Sequence, residues 1–278
     1  MNNTANSSLE KSTTVVTAYY RIKSKHDPQK YEEWMHNLLV NVGKSCKMVI
    51  FTSSELVHYI ENICEKNKKD AAFTVISIEI KDLKIAHCYS KNVWWKQYSL
   101  DPQKACRRTI GCYLIWNSKI WFMNQAIERN IYGSDKYIWT DIGSFRNNDS
   151  AVCASILDKF PLYERISNDK IDIMLIRPYL PHEMNQIVFF NTVHLGGIFG
   201  GGVYAVRQLY KLFYESLHFY LTNNYFAGCD QQILSTCYMR NPNLFHLIQK
   251  KNPNELWNEW FYLYKYWNDP SCIYNYTM

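Results

Sequence analysis

Twice before residue 80 the chain passes from a run dense in β-branched and aromatic residues into a stretch with helical spacing, and then a third run follows. That alternation confines it to an α/β sheet. Thr13 to Ile22 reads as a strand buried on both faces, because Thr, Val and Tyr crowd it without polar alternation. Pro28 then suits a first helical turn, and Tyr31, Trp34, Met35, Leu38 and Leu39 recur at helical spacing up to Gly43. Lys47 to Thr52 is the second strand. Ser53 or Ser54 caps a helix carrying Leu56, Val57, Ile60 and Ile63, and Phe73 to Ile80 is the third strand. Such connections specify a mostly parallel sheet with right-handed crossovers.

Residues 81–109 lack a clear period and read as a short helix and loop. Ile110 to Arg129 is expected to form one long helix, with Trp116, Asn117 and Lys119 near its beginning. An apolar strand from Lys136 then ends in Asp141 and Gly143, and in open α/β sheets ligands gather beyond the carboxyl ends of strands. Ala151 to Ile166 is a predicted helix, Ile171 to Ile176 a strand, and Arg177 to Pro181 a rigid turn. Five of the ten glycines fall between Gly196 and Gly202, directly before a helix that starts at Val203. This pattern predicts a strand delivering a bare loop, able to meet phosphate or sugar oxygens through its backbone. Asp230 opens another helix, and Trp257, Trp260, Tyr262, Tyr264, Tyr266 and Trp267 form an aromatic final one. Residues 1–12 read as a polar tail and 13–278 as a single domain.

Aromatic residues make up 16% of the chain, including 22 Tyr and 9 Trp, enough to stack on a flat ligand or to fill a core. The formal charge of +6 is modest and its basic residues are scattered, so no nucleic-acid partner is expected and a phosphorylated small molecule suffices. Nine cysteines without a C-x-x-C pair argue against structural zinc and read as reduced, mostly buried thiols. The first residues lack the apolar core of a signal peptide and no run is long enough to span a bilayer, which points to a cytoplasmic location.

Three groups of residues could carry chemistry. Asp141 could hold a divalent cation that neutralises a pyrophosphate, or it could cap the following helix or pair with Arg146. His194 with the glycine stretch could contact a sugar or bind metal, although a histidine in an apolar strand is more often a hydrogen-bonded core residue. Asp230, Gln231 and Gln232 suit recognition of sugar hydroxyls or stabilisation of charge at an anomeric carbon, and equally an ordinary helix start. No Walker loop, G-x-G-x-x-G fingerprint, H-E-x-x-H or EF-hand pattern occurs, which argues against ordinary nucleotide hydrolysis and dinucleotide redox chemistry.

Val15-Val-Thr-Ala-Tyr-Tyr20, Met48-Val-Ile-Phe-Thr-Ser53, the helix around Trp116-Asn-Ser-Lys119 and Tyr137-Ile-Trp-Thr-Asp-Ile-Gly-Ser-Phe-Arg146 resemble, in this order, the HtrL/YibB (WlaTC-like) family. That family is expected to comprise glycosyltransferases of GT-A architecture. The resemblance implies a GT-A-like, Rossmann-type sheet flanked by helices. It also implies that Thr17, Ala18 and Tyr19 meet the base and ribose, and that Lys119 reaches the pyrophosphate or donor sugar. Asp141 would be the metal or ribose carboxylate of a D-x-D-type motif, with Gly143 in the place of the second acid. That departure puts dependence on Mn²⁺ or Mg²⁺ in question and leaves His246 as a replacement ligand. His194, Gly196, Gly197 and Gly200 would border the sugar and acceptor, and Asp230 with Gln231 the reacting carbon.

The resulting expectation is a glycosyltransferase that uses a nucleotide-diphosphate sugar, a UDP-sugar foremost, and a glycan or similar hydroxyl acceptor. Asp230 is the leading general base if the reaction inverts the anomeric centre. A sugar-nucleotide or glycan-binding module without turnover is the first alternative, and a single-stranded nucleic-acid binder the second.

Overall fold

A computed structural model of the chain describes residues 11–24, 26–67, 71–106, 108–146, 150–250 and 259–270. The first apolar run forms β1 (Thr13–Tyr19), buried along its whole length between two parallel neighbours, β2 (Lys47–Thr52) and β4 (Lys136–Trp139). Burial on both sides explains why this run shows no polar alternation. Val16, Ala18 and Tyr20 enter one hydrophobic layer, Val15 and Tyr19 the other.

Helix α1 (Pro28–Asn41) buries Trp34, Met35, Leu38 and Leu39, as its spacing predicts. It is followed, beyond β2, by α2 (Val57–Cys64) and the edge strand β3 (Ala72–Ser77). The start of α2 departs from expectation. Ser53 makes no side-chain cap, and both the Ser54 N–H and hydroxyl instead donate to Glu79 at 2.8 Å.

Residues 81–109, read as irregular, contain α3 (Lys84–Cys88) and α4 (Lys91–Leu100). The single long helix expected from Ile110 is two, α5 (Ile110–Trp116) and α6 (Lys119–Arg129). Asn117 breaks it: its side-chain amide donates to the Tyr113 carbonyl at 3.0 Å and the Ala227 carbonyl at 2.9 Å. This puts Lys119 at the first position of α6. The helix expected over Ala151 to Ile166 is α7 (Ser150–Leu157) and stops well short.

Seven strands make one sheet in the order β3-β2-β1-β4-β6-β5-β7, with β5 (Ile171–Leu175), β6 (Leu195–Gly202) and β7 (Phe245–Ile248). Only β6 runs against the rest. The glycine-rich segment is therefore not a loop but a fully buried strand. Bare backbone is needed there because neighbouring main chain comes close. A Cβ at Gly201 would lie 2.3 Å from the Lys170 carbonyl oxygen, and one at Gly202 2.1 Å from that of Asn168.

Helix α8 (Val203–Thr222) leaves β6 directly and covers one face together with α6 and α9 (Asp230–Arg240). On the other face, α10 (Tyr262–Asn268) packs its Tyr264 and Trp267 with α1 and α7. Trp257 of the expected aromatic helix lies outside the described residues. Eight described cysteines are free thiols, six of them buried. Among the described residues, no helix is long and apolar enough to cross a membrane.

Candidate active site

The chain leaves β1 towards β2 and β3 on one side, then returns to place β4 on the other. Between the carboxyl ends of β1 and β4 neither crossover fills the space, so a crevice opens at this switch point. A cavity of about 530 Å³ occupies it, walled by Tyr19 at the end of β1, by Tyr20 just beyond it, and by Tyr31, Trp116, Trp139 and Phe261.

Three charged side chains meet on its floor. The Lys119 ammonium lies 2.9 Å from Asp141 Oδ1 and 2.9 Å from Asp230 Oδ2, and it donates to the Gly197 carbonyl at 3.3 Å. An ammonium has three donors, and three acceptors surround this one. Each partner comes from a different element: Lys119 from the start of α6, Asp141 from the turn after β4, Gly197 from β6 and Asp230 from the start of α9. A Cβ at Gly197 would come within 2.9 Å of the ammonium, so the missing side chain makes room for it. Burial by itself would lower the Lys119 pKa, but the two carboxylates more than offset it and raise it. Burial raises the Asp230 pKa, with Lys119 opposing and Asp141 adding to the rise.

The turn that carries Asp141 is pinned from both sides. Tyr264 of α10 shares its hydroxyl with Thr140 and, at 2.6 Å, with Ser144, whose own hydroxyl donates to the Asp141 carbonyl. The Trp139 indole donates to Asp141 Oδ1 at 3.0 Å. Asp141 is thus oriented without Arg146, whose Nε donates to the Gly143 carbonyl at 3.1 Å while its guanidinium packs 4.5 Å from the Trp34 ring centroid.

The structure brings Ala18, Tyr19, Lys119, Asp141, Gly143, Gly197, Asp230 and Gln231 to one cavity and leaves out the other expected site residues. Gln231 spends its amide on the Leu195 carbonyl at 3.1 Å. Thr17 is fully buried within β1. Gly196 and Gly200 face neighbouring strands, where a Cβ would meet Met174 at 3.1 Å and Ile138 at 2.8 Å. His194 is also fully buried: its ring stacks on Tyr179 at 4.1 Å, with Nδ1 3.1 Å from the Arg177 carbonyl and Nε2 3.4 Å from Glu183. It is a core histidine.

His246 does not reach Asp141. It sits on β7, three strand spacings or about 14 Å from β4, with Nδ1 2.8 Å from Asp172. A Mg²⁺ or Mn²⁺ site needs hard oxygen donors free to converge on the ion. Both floor carboxylates already converge on an ammonium, and the described residues hold no group of three metal-ligating side chains. The residues present do not fit a divalent cation.

Among the cavity residues that the sequence did not assign to the site are two cations, Arg108 and Arg146, the latter expected only as a possible partner of Asp141. Arg146 sits in the same turn as Asp141, but nothing in its spacing shows that ring packing holds it at the rim.

Fold and site together define an α/β protein whose polar cluster lies at the switch point of a mostly parallel sheet. The chain belongs to the HtrL_YibB family, described as bacterial protein of unknown function, whose model matches residues 11–268. It is 27% identical over 262 residues to Protein HtrL of Escherichia coli K12, covering 86% of this chain and 88% of that protein. Among solved structures it is similar to mouse xyloside xylosyltransferase 1 in its apo form, at 11% identity and a TM-score of 0.48 over 85% of each chain. It is also similar to core-mannan synthase A from Aspergillus fumigatus in its Mn/GDP form, at 10% identity and a TM-score of 0.49, covering 95% of this chain and 84% of that one. Both scores lie under 0.5, so neither likeness informs the site.

Proposed function

We propose that this chain is a GT-A-type glycosyltransferase that moves a sugar from a nucleotide-diphosphate donor, a UDP-sugar foremost, to a hydroxyl of a glycan acceptor. The observation that carries this reading is the Asp141–Lys119–Asp230 cluster on the floor of an aromatic-walled cavity at the switch point. Aromatic walls suit a nucleobase, and cationic side chains at the rim suit phosphates. The floor carries two carboxylates and one ammonium, a net negative charge suited to sugar hydroxyls and to positive charge developing at an anomeric carbon.

Within this reading the two carboxylates take different parts. Asp141 is 42% exposed and presents an oxygen to the cavity, whereas Asp230 is 6% exposed and engaged by Lys119. A general base needs a lone pair within reach of the proton it takes. The base role expected of Asp230 therefore passes to Asp141, and Asp230 becomes a positioning residue that fixes Lys119.

A panel of UDP-, GDP- and dTDP-sugars tests the reading through nucleotide release and donor binding. Release with one donor is the expected result, and failure to bind any donor would overturn it. The engagement of both carboxylates by Lys119 favours a second reading, a sugar-nucleotide binding module without turnover. Tight donor binding with no release under any acceptor would establish that reading instead.

A further inference from the structure

The turn after β4 carries one acid where a paired-carboxylate motif would carry two, and its surroundings explain the second position. A Cβ at Gly143 would lie 2.9 Å from the Tyr31 ring and 3.1 Å from that of Trp34, both on α1. Those rings fill the volume an acidic side chain would need. The acid that remains, Asp141, already accepts from the Trp139 indole and from Lys119. A dication bound there would be repelled by the Lys119 ammonium and would compete with it for Asp141 Oδ1, 2.9 Å from Nζ.

The surface that excludes a second acid holds a cation instead. The Arg146 guanidinium lies 4.5 Å from the Trp34 ring centroid and 5.1 Å from that of Phe261, and its Nε is fixed on the Gly143 carbonyl. It has no carboxylate partner among the described residues, and its terminal nitrogens remain for a ligand. Arg108 lines the same cavity, 5.3 Å from the Trp116 ring centroid and 3.5 Å from Asp101. A guanidinium fork matches phosphate oxygens in a bidentate manner and needs no metal to do so.

Resting on the nucleotide-sugar reading above, we infer that Arg146, with Arg108 lining the same cavity, binds the diphosphate of the donor, so that nucleotide binding proceeds without a divalent cation. Arg146 is then a specificity residue for diphosphate over the bare nucleoside.

Calorimetric titration of the full chain with UDP, GDP, CDP and dTDP, in EDTA and again in Mn²⁺, tests this directly. The nucleotide that binds is expected to do so in EDTA with an affinity within about threefold of that in Mn²⁺. Arg146→Gln is expected to weaken it by about 10- to 100-fold, the range for loss of a charge-assisted bond, and to leave binding of the matching nucleoside unchanged. Arg146→Lys should recover part of the loss. Binding that requires Mn²⁺ would overturn the inference while leaving the nucleotide-sugar reading intact, and so would an Arg146→Gln protein that binds as the wild type does. No binding of any nucleotide in either buffer would overturn both. The comparison of buffers uses the unaltered protein and therefore decides even if a variant fails to fold.

Discussion

Lys119 and Asp230 form a buried ion pair, 2.9 Å between Nζ and Oδ2, with each side chain 6% exposed. Neither charge would persist there alone. Desolvation of a single ion costs several kcal/mol, and the partner offsets that cost only while both are present.

Replacing Lys119 with Met is therefore expected to destabilise the protein by about 3–5 kcal/mol, since it leaves Asp230 buried without its counter-charge. Asp230→Asn paired with Lys119→Met should recover part of that loss. Urea unfolding of the single and double variants measures both, and a single variant within about 1 kcal/mol of wild type would show that the pair is not stabilising.

Asp141 stands apart from this pair because its side chain is 42% exposed. Asp141→Ala should leave stability within about 1 kcal/mol of wild type, as for other solvent-screened ion pairs. Sugar transfer should be abolished in the same variant. Donor-dependent nucleotide release at the wild-type rate would show that Asp141 has no part in the chemistry.

The glycines of β6 should separate into two kinds. A methyl group at Gly197 meets side-chain tips, Lys119 Nζ at 2.9 Å and Asp141 Oδ2 at 3.4 Å, whereas one at Gly201 meets the Lys170 backbone carbonyl at 2.3 Å. Gly197→Ala is expected to weaken donor binding through displacement of the ammonium and to lose less stability than Gly201→Ala, because the Lys119 side chain can shift where a backbone carbonyl cannot. Gly201→Ala should lose about 1–3 kcal/mol or more to overpacking. Thermal unfolding together with donor titration distinguishes them, and equal stability losses in both variants would refute the assignment of Gly197 to the site.

His194 gives the fold a dependence on pH. Burial lowers its pKa below 6.5, against opposing contributions from the Arg177 carbonyl and Glu183. The unfolded chain then binds the proton more readily. Stability contributed by the neutral ring is full above pH 6.5 and is lost as pH falls from there towards the folded value. Glu183, whose pKa is lowered by the Leu180 N–H and other partners, gives way only below 4.5, so the two windows are separate. Unfolding midpoints at about pH 7.5 and 5.5 should differ in the wild type and differ less in His194→Gln, with the remainder belonging to His36, whose pKa burial and Lys66 also lower. An unchanged slope in the variant would assign the dependence elsewhere.

Much of this was legible in the chain. β1, β2 and β4 and helix α1 follow from local patterns of apolar residues, because a strand covered on both faces and a helix covered on one each leave a period that neighbours alone can write. The place of Asp141 at a strand end follows from the same patterns. What they could not show is where a pattern stops carrying information. The glycines of β6 have no side chains and hence no period, so their segment looked like a loop until the Lys170 and Asn168 carbonyls were seen against it. The break between α5 and α6 depends on the Ala227 carbonyl, over a hundred residues away in the chain, accepting from Asn117.

By itself, then, the sequence determined that this protein is a mostly parallel α/β sheet with an acid beyond β4, since burial and hydrogen bonding along one element are local matters. Only the tertiary structure decided that Lys119 stands between Asp141 and Asp230, that His194 belongs to the core and His246 to a distant strand, and that Arg146 faces the cavity. Each of those depends on which elements meet at the switch point, and an ion pair across three elements leaves no spacing to read.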